Sequence, residues 1–380
     1  MNNVSRRLSA SVALFLVSAH SSFALDNYTL IDIAAGPESF AWGINSNGDV
    51  VGENSADQAF LYSNGQLTEL PTLSGQSVAF DINDSGQIVG FSTDANGFTQ
   101  AVLWVNGTIT NLAISATNYS RALAINNQGQ IVGVFADSND NEHLFLYEDG
   151  VTTDLGALGI NPWWEYPAAD INDAGVISYF SNDNTSGQPQ ARLYDNGTIT
   201  ELGTAPGSTS LAAAINNNNV AAGSIGDALA SNRDKGIFGD LPDGQAALFD
   251  NGAATPLAAP ANLSFYAGTA ASGINDSGMI VGGAAAAATS GFWPTSARGF
   301  VYEPGTGTVD INDIIVAVSS PDQALASPDI WTVVWGEDIN NNGAIAANAW
   351  STRFFGPSRA VVLMPATTDT VAQTVPNTAP

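Results

Sequence analysis

The chain has 380 residues, of which 36 are acidic and 9 are basic, so its formal charge is −27 at pH 7. This surplus of carboxylates excludes nucleic acid and anionic membrane surfaces as partners, because both require clustered Lys and Arg. The chain has no cysteine, which excludes disulfides, thiolate metal sites and thiol catalysis.

Residues 1–24 have the pattern of a secretion signal. Arg6 and Arg7 are basic, a short apolar run over residues 12–17 follows, and small residues precede a cleavage position after Ala24. The apolar run is too short to span a bilayer. We therefore predict a secreted protein, extracellular or periplasmic, with no membrane insertion.

One phrase recurs seven times after the signal: Ile-Asn, two further residues, a glycine and a short apolar run. Its asparagines are Asn45, Asn83, Asn126, Asn172, Asn216, Asn275 and Asn340. In the fifth copy Asn219 replaces the glycine, and Asn tolerates the positive φ of a tight turn better than most residues. This exchange indicates a turn. The Ile before each Asn never varies among the copies, so we expect it to face the packing between sheets.

A second phrase follows each of the first six copies, for example QAVLWVNGTITNL from Gln100. An Asn-Gly pair between two alternating runs predicts a β-hairpin. Each repeat therefore predicts four short antiparallel strands, of which the first ends at Ile-Asn.

Repeated four-stranded units of this length are typical of a β-propeller. The seventh copy lacks its fourth strand, and residues 28–33 resemble a spare fourth strand. Joining the two completes a seventh blade and closes the ring. We predict an all-β, seven-bladed propeller over residues 25–364, followed by a disordered Pro/Thr-rich tail over residues 365–380. The alternative is an open β-solenoid. Residues 314–326 are expected to form a short helix over the ring.

The two phrases together resemble those of the extracellular HAF repeat family. The likeness rests on Ile-Asn-x-x-Gly and on Gln-Ala-Phe-Leu-Tyr from Gln58, and it covers nearly all of the mature chain. It implies a secreted repeat protein. It implies no particular activity, because that family is defined by its repeat.

The connections between strands two and three, and from each fourth strand to the next blade, vary in length and composition. A meander places both sets at the same end of the strands, and binding residues usually collect on such a variable face. Aromatic rings, which stack against sugars, are frequent there. The candidate ligand-binding residues are Trp163, Trp164, Tyr166, Tyr266, Trp293, Trp331, Trp350, Arg353 and Phe354. The alternative is that these rings only plug the loops against the sheets.

The sequence gives weak signals for catalysis. His143 aligns with a glutamine in four of the other repeats, and a single histidine in the mature chain excludes a His-based metal site. If the protein is an enzyme, Tyr119, His143 and Arg353 are the candidate catalytic residues.

Calcium is the one cofactor that the sequence leaves open. Asp137, Asn139 and Asn141 place oxygen atoms at alternate positions, as calcium loops do. A solvated polar turn explains the same residues, and the glycine of the EF-hand pattern is missing.

Three functions remain open from the sequence. The first is a monomeric, secreted module that binds an extracellular glycan or polysaccharide through the aromatic face. The second is a polysaccharide lyase or glycoside hydrolase on the same face. The third is a structural or surface-assembly protein.

Overall fold

A computed structural model describes residues 27–114, 119–159, 168–182, 187–203, 209–226, 244–263, 268–285, 297–321, 327, 331–351 and 358–366. These residues form 29 β-strands and two short 3-10 helices, Ala261–Leu263 and Ile311–Asp313. Within the described ranges no helix has the length and apolar character needed to cross a membrane. The strands make seven sheets, which are the blades of the predicted propeller.

The first three blades are four-stranded antiparallel meanders. Blade 1 consists of β2 (Phe40–Ile44), β3 (Val50–Glu53), β4 (Ala59–Ser63) and β5 (Gln66–Glu69). Blade 2 consists of β6 (Ser77–Ile82), β7 (Ile88–Thr93), β8 (Thr99–Val105) and β9 (Thr108–Asn111). Blade 3 consists of β10 (Ser120–Ile125), β11 (Ile131–Ala136), β12 (Glu142–Glu148) and β13 (Val151–Ala157).

The next three blades repeat this order of strands. Blade 4 consists of β14 (Ala169–Ile171), β15 (Ile177–Asn182), β16 (Pro189–Asp195) and β17 (Thr198–Glu201). Blade 5 consists of β18 (Ser210–Ile215), β19 (Ala221–Ile225), β20 (Gln245–Asp250) and β21 (Ala253–Pro256). Blade 6 consists of β22 (Gly268–Ile274), β23 (Ile280–Ala285), β24 (Arg298–Glu303) and β25 (Gly307–Asp310).

Blade 7 joins the two ends of the chain and confirms the predicted ring closure, which excludes the open solenoid. Its inner strands are β27 (Trp331–Ile339), β28 (Ile345–Ser351) and β29 (Arg359–Pro365). The N-terminal β1 (Tyr28–Asp32) pairs antiparallel with β29 as the fourth strand. Residues 1–26 and 367–380, which hold the predicted signal and tail, lie outside the described residues.

The helix expected over residues 314–326 is wrong where the structure describes that segment. Residues Ile315–Ser319 form β26, which pairs parallel with β1 as a fifth strand of blade 7. The segment is rich in β-branched residues such as Val316 and Val318, which favour a strand when an edge is available for pairing. The open edge of β1 supplies that pairing.

The apolar core is divided into layers between neighbouring blades. Each of seven buried clusters contains one isoleucine of the repeat, which confirms that this residue faces the packing between sheets. These residues are Ile44, Ile82, Ile125, Ile171, Ile215, Ile274 and Ile339. Because each layer needs both of its blades, closing the ring supplies the last layer.

The glycine of each Ile-Asn phrase has the positive φ expected of it. Its φ lies between +73° and +82° in the six copies that keep glycine, and Asn219 replaces it at +61° in blade 5. The turn after each inner strand is therefore the same in all seven blades.

Candidate functional site

A β-bulge in the inner strand turns one side chain of most blades into the central channel. In β2 the pairing register shifts between Ala41 and Gly43, which leaves Trp42 without a partner residue. Equivalent shifts occur in blades 2, 3, 5, 6 and 7. The side chains at these bulges are Trp42, Phe80, Leu123, Ala213, Ser272 and Glu337. A bulge re-aims a side chain, and all six residues line the channel.

In blades 1, 2, 3, 5 and 6 the apolar run of the Ile-Asn phrase ends in a second glycine, such as Gly52 in blade 1. This glycine explains why the bulge can form. A Cβ on Gly52 would overlap the carbonyl oxygen of Phe40, and the corresponding glycines of blades 2, 3, 5 and 6 meet an equivalent oxygen. In blade 4 this position is Tyr179, which pairs with Ala169 without any register shift. In blade 7 the position is Ala347, and the glycine is instead Gly336 on the inner strand, with which Ala347 pairs. Five of the six bulged blades therefore have glycine opposite the bulge, and blade 7 has glycine next to it.

A cavity of about 720 Å³ occupies the channel. It begins at the variable face, where Glu38, Asp57 and Gln76 lie in connections between strands, and it extends inward to Asp81 and Asp170. Among its described lining residues Arg121 is the one basic residue. The acidic ones are Glu38, Glu53, Asp57, Asp81, Asp170, Glu337 and Asp338.

Four aromatic rings on blades 1 and 2 form one side of the cavity, and we call them the aromatic arc. They are Phe40, Trp42, Phe80 and Phe91. Their ring centroids are 6.1 Å apart for the first two pairs and 5.8 Å apart for the third. The bulge positions across the channel hold the smaller Ala213 and Ser272, so the cavity has one aromatic side and one open side.

Arg121 extends the aromatic arc toward blade 3. Its guanidinium carbon lies 5.3 Å from the ring centroid of Phe91 and 4.9 Å from that of Tyr119. Both distances fall in the range of cation–π attraction. One ring of the arc, that of Phe91, therefore already contacts a cation.

Three carboxyl groups lie at the inner end of the cavity, and we call them the floor carboxyls. They belong to Asp81, Asp170 and Asp338, each of which precedes an isoleucine of the repeat. One oxygen of Asp81 accepts the backbone N–H of Ile82 at 2.7 Å, and the other accepts that of Ile125 in the next blade at 2.8 Å. The other two make the same pair of bonds.

The floor carboxyls hold their protons more tightly than ordinary aspartates. Burial, reinforced by the charges of Asp170 and Asp338, raises the pKa of Asp81 from 3.8 to about 8. Burial also raises the pKa of Asp170 to about 6 and raises that of Asp338. The backbone N–H groups oppose this rise without cancelling it. The floor therefore carries less negative charge near neutral pH than three ordinary aspartates would.

Two polar groups of the cavity wall make no hydrogen bond within the structure. They are the indole Nε1–H of Trp42 and the hydroxyl of Ser358, a residue that is 3% exposed. A buried polar group without a partner costs free energy. Both atoms are covered by neighbouring protein atoms, so a ligand in the cavity does not reach them unless the wall rearranges.

Most of the ligand-binding residues predicted from the sequence lie outside the described residues and stay predictions. They are Trp163, Trp164, Tyr166, Tyr266, Trp293, Arg353 and Phe354. Trp331 is described, and it lies 5% exposed in the core between blades 6 and 7. Trp350 is half-buried and packs near Trp335. Neither residue is among the side chains that line the cavity.

The candidate catalytic residues that the structure describes are not brought together at the cavity. Tyr119 contacts Arg121, as described above. His143 lies on β12, where its Nδ1 is 3.0 Å from the carboxylate of Asp154 and its Nε2 is 3.7 Å from that of Asp137. Neither Tyr119 nor His143 lines the cavity.

The calcium candidates form a hydrogen-bonded turn. Asp137 Oδ1 accepts the backbone N–H groups of Asn139 and Asn141 at 2.8 and 2.9 Å, and Oδ2 accepts the amide of Asn141 at 3.0 Å. These bonds lower the pKa of Asp137 to about 2. Asp94 makes the same backbone bonds in blade 2, so the turn belongs to the repeat. In the described ranges no group of three or more His, Cys, Asp or Glu residues is placed to hold a metal ion.

Sequence reasoning missed the aromatic arc because Trp42 occupies a repeat position and was assigned to the scaffold. A signal was present two residues before each isoleucine. Reading that position from blade 1 to blade 7 gives Trp42, Phe80, Leu123, Ala169, Ala213, Ser272 and Glu337. The isoleucine two positions later stays fixed, whereas this position changes from aromatic to small, polar and acidic residues, as is typical of a surface that meets a ligand.

One family model matches part of the chain. A family model described as a protein of unknown function (DUF3466) matches residues 168–353. A search of curated proteins found no match.

The chain is similar to several solved structures, three of which follow. Puromycin hydrolase is 14% identical with a TM-score of 0.50, over 86% of this chain and 51% of that one. The β-propeller domain of the Trilobed protease from Pyrococcus furiosus is 7% identical with a TM-score of 0.49, over 84% and 94%. A gluconolactonase from Xanthomonas campestris is 8% identical with a TM-score of 0.43, over 91% and 93%. The chain thus spans about half the length of puromycin hydrolase, and identities this low indicate a shared fold alone.

Proposed function

We propose that this protein is a binding module that holds a glycan in the channel cavity, against the aromatic arc. The observation that carries the proposal is the arc itself, with rings of Trp42, Phe80 and Phe91 that stay half-buried beside an open cavity. A propeller normally packs such rings between its blades. Sugars present C–H faces that stack on aromatic rings, whereas most other polar ligands do not.

The polar groups around the arc suit the hydroxyls of a sugar. Gln76, Thr93 and Thr99 add amide and hydroxyl groups to the lining, and carboxylates such as Glu337 add acceptors. An apolar surface with a few convergent polar groups is typical of a ligand pocket. The aromatic residues predicted on the variable connections, such as Trp163 and Trp293, would extend the contact at the mouth.

The proposal includes the cellular location and the state of the protein. The basic and apolar pattern of residues 1–24 supports export, and an exported binder would meet its glycan outside the cell or in the periplasm. We propose that the module acts as a monomer, since one ring contains the whole cavity.

An enzyme on the same face is the second candidate, because of the floor carboxyls. Asp81 and Asp170, whose pKa values burial raises, share one cavity, and glycoside hydrolases use a pair of carboxyls of which one has a raised pKa. However, both oxygens of each group accept backbone N–H groups. That arrangement suits a structural role, so we place binding first.

Native electrophoresis through gels that contain different polysaccharides tests the proposal. We expect the mature protein to migrate more slowly in at least one gel while the polymer stain stays intact. Trp42→Leu, which keeps an apolar side chain but removes the aromatic ring, should restore fast migration. Phe98→Ala is the matched control, because Phe98 is 38% exposed and does not line the cavity.

Each other outcome contradicts part of the proposal. Unchanged retardation of Trp42→Leu would show that the glycan binds elsewhere. Cleared stain around the band would identify an enzyme. Free migration in every gel would favour the structural or surface-assembly function.

A further inference from the structure

We infer that the glycan bound in this cavity carries protonated amino groups, as a polymer of glucosamine does, and that the acidic lining of the channel selects it. The inference rests on the proposed function and names its ligand class. Three kinds of observation support it: the charges of the lining, their position beside the arc, and the ring faces.

The charges of the lining favour a cationic ligand. Seven acidic residues and one arginine line the described part of the cavity. The walls are protein of low dielectric, which focuses the field of these charges into the channel. An ammonium group would be attracted there, and a uronate or sulfated sugar would be repelled.

The floor carboxyls lie directly beside the aromatic arc. Asp81 follows Phe80 in the chain, and Asp338 accepts the backbone N–H of Ile44 at 3.0 Å, two residues after Trp42. Glu337 occupies the bulge of blade 7, next to blade 1 in the ring. A sugar ring stacked on Trp42 and Phe80 therefore has acidic groups within the reach of its substituents.

The ring faces themselves favour a cation. Phe91 already faces the Arg121 guanidinium at 5.3 Å, and Trp42 has the ring type that attracts cations most strongly. An amino sugar can use both properties of a ring, because its C–H face stacks and its ammonium group is attracted by the π-electrons.

The stacking surface distinguishes an amino sugar from a simple polyamine. The aromatic arc presents the half-buried rings of Trp42, Phe80 and Phe91 to the cavity. The C–H face of a sugar ring can stack on these rings, whereas a flexible polyamine chain has no such face.

The protonation of the floor is consistent with this ligand class. Burial and mutual repulsion raise the pKa values of Asp81 and Asp170 in the empty cavity. A nearby ammonium group would stabilise the ionised carboxylates and lower these pKa values. Binding would then return charge to groups that the fold alone keeps partly neutral.

Isothermal titration calorimetry with two hexasaccharides tests the inference. One probe is the glucosamine hexamer and the other is the N-acetylglucosamine hexamer, which has the same rings without the charges. At pH 6 and low salt we expect the glucosamine hexamer to bind at least about tenfold more tightly. Its advantage should shrink as salt is added.

Two variants separate selection in the channel from general attraction to an acidic protein. Glu337→Gln should weaken binding of the glucosamine hexamer about fivefold or more, and far more than that of the acetylated one. Asp195→Asn removes one charge from an exposed position on the outside of blade 4 and should change neither affinity.

The outcomes that overturn the inference are distinct from failure of the proposed function. Equal affinity for the two hexamers would leave glycan binding intact and reject the charged class. An equal loss in Glu337→Gln and Asp195→Asn would show diffuse attraction without selection. If neither hexamer binds, the inference is wrong, and the polysaccharide gels decide separately whether a glycan binds at all.

Discussion

The side-chain amide of Asn340 donates a hydrogen bond of 2.8 Å to the backbone carbonyl of Asn45, across the joint between the last blade and the first. Each of the other six asparagines of the repeat makes the same bond to the next blade, at 2.9 to 3.2 Å. The seven bonds form a closed cycle around the channel. Aspartate could not replace these residues, because it has no N–H to donate.

Each asparagine of this cycle also holds its own turn. Asn126 Oδ1 accepts the backbone N–H groups of Gln128 at 3.1 Å and Gln130 at 2.9 Å. The side-chain amide also donates to Gln130 Oε1 at 2.6 Å and to the carbonyl of Asn172 at 2.9 Å. We expect Asn126→Ala to lower the free energy of unfolding by about 3 to 4 kcal/mol, since four bonds of a buried side chain are lost at about 1 kcal/mol each. Urea unfolding followed by fluorescence measures the change.

The control for this substitution is the next residue. Asn127 is exposed, and its hydrogen bonds to Asp84 and Asp173 lie in solvent. Asn127→Ala should cost less than about 1 kcal/mol. Equal losses in the two variants would contradict the bridging role of the inner asparagine.

In blades 1, 2, 3, 5 and 6 the bulge of the inner strand should depend on the glycine opposite it. A Cβ on Gly223 would overlap the carbonyl oxygen of Leu211, and backbone cannot move aside as a side chain can. We expect Gly223→Ala to cost about 3 kcal/mol in thermal unfolding. Gly150→Ala, with φ of +81° and open space around it, should cost about 1 kcal/mol. A smaller loss at Gly223 than at Gly150 would reject this account.

Stability should fall as pH rises from about 4 to about 8. The floor carboxyls have pKa values above 3.8 in the folded protein, so the native state binds more protons than the unfolded state across that window. Each extra proton gives a slope of up to about 1.4 kcal/mol per pH unit. Urea unfolding at pH 5 and pH 8 should show the protein to be more stable at pH 5.

Asp81→Asn tests the origin of that slope. An amide cannot ionise, so the variant should lose less stability than the natural protein between pH 5 and pH 8. It should be less stable at pH 5, because the amide offers only one oxygen to the N–H groups of Ile82 and Ile125. An unchanged pH slope would show that the general negative charge of the protein, and not this carboxyl, causes it.

The N-terminal strand should stabilise the entire ring. Leu30 of β1 is fully buried in the layer between blades 6 and 7. We expect Leu30→Ala to cost about 3 kcal/mol and to unfold in one transition by both circular dichroism and fluorescence. Ile199→Ala on β17, where the side chain is 52% exposed, should change stability by less than about 0.5 kcal/mol. A separate early transition of blade 7 in Leu30→Ala would contradict closure as the basis of cooperativity.

The sequence predicted the blades well because each blade is specified locally. Asn-Gly turns, the glycine after Ile-Asn, and alternating strands act within about ten residues of one another. The segment at Ile315–Ser319 was predicted wrongly for the opposite reason. Its pairing partner is β1, which lies nearly 290 positions earlier, so local pattern gave no information about the available edge.

By itself, the sequence determined the number of blades, the closure by the N-terminal strand and the end of the ring that varies. Those features follow from a repeat whose turns and buried isoleucines have fixed local requirements. Only the tertiary structure decided what the channel contains. The bulges turn Trp42 and Phe80 inward, and the ring brings them beside Asp81 and Asp338. Such neighbours are set by the curvature of the closed ring, because residues far apart in the chain converge on its axis.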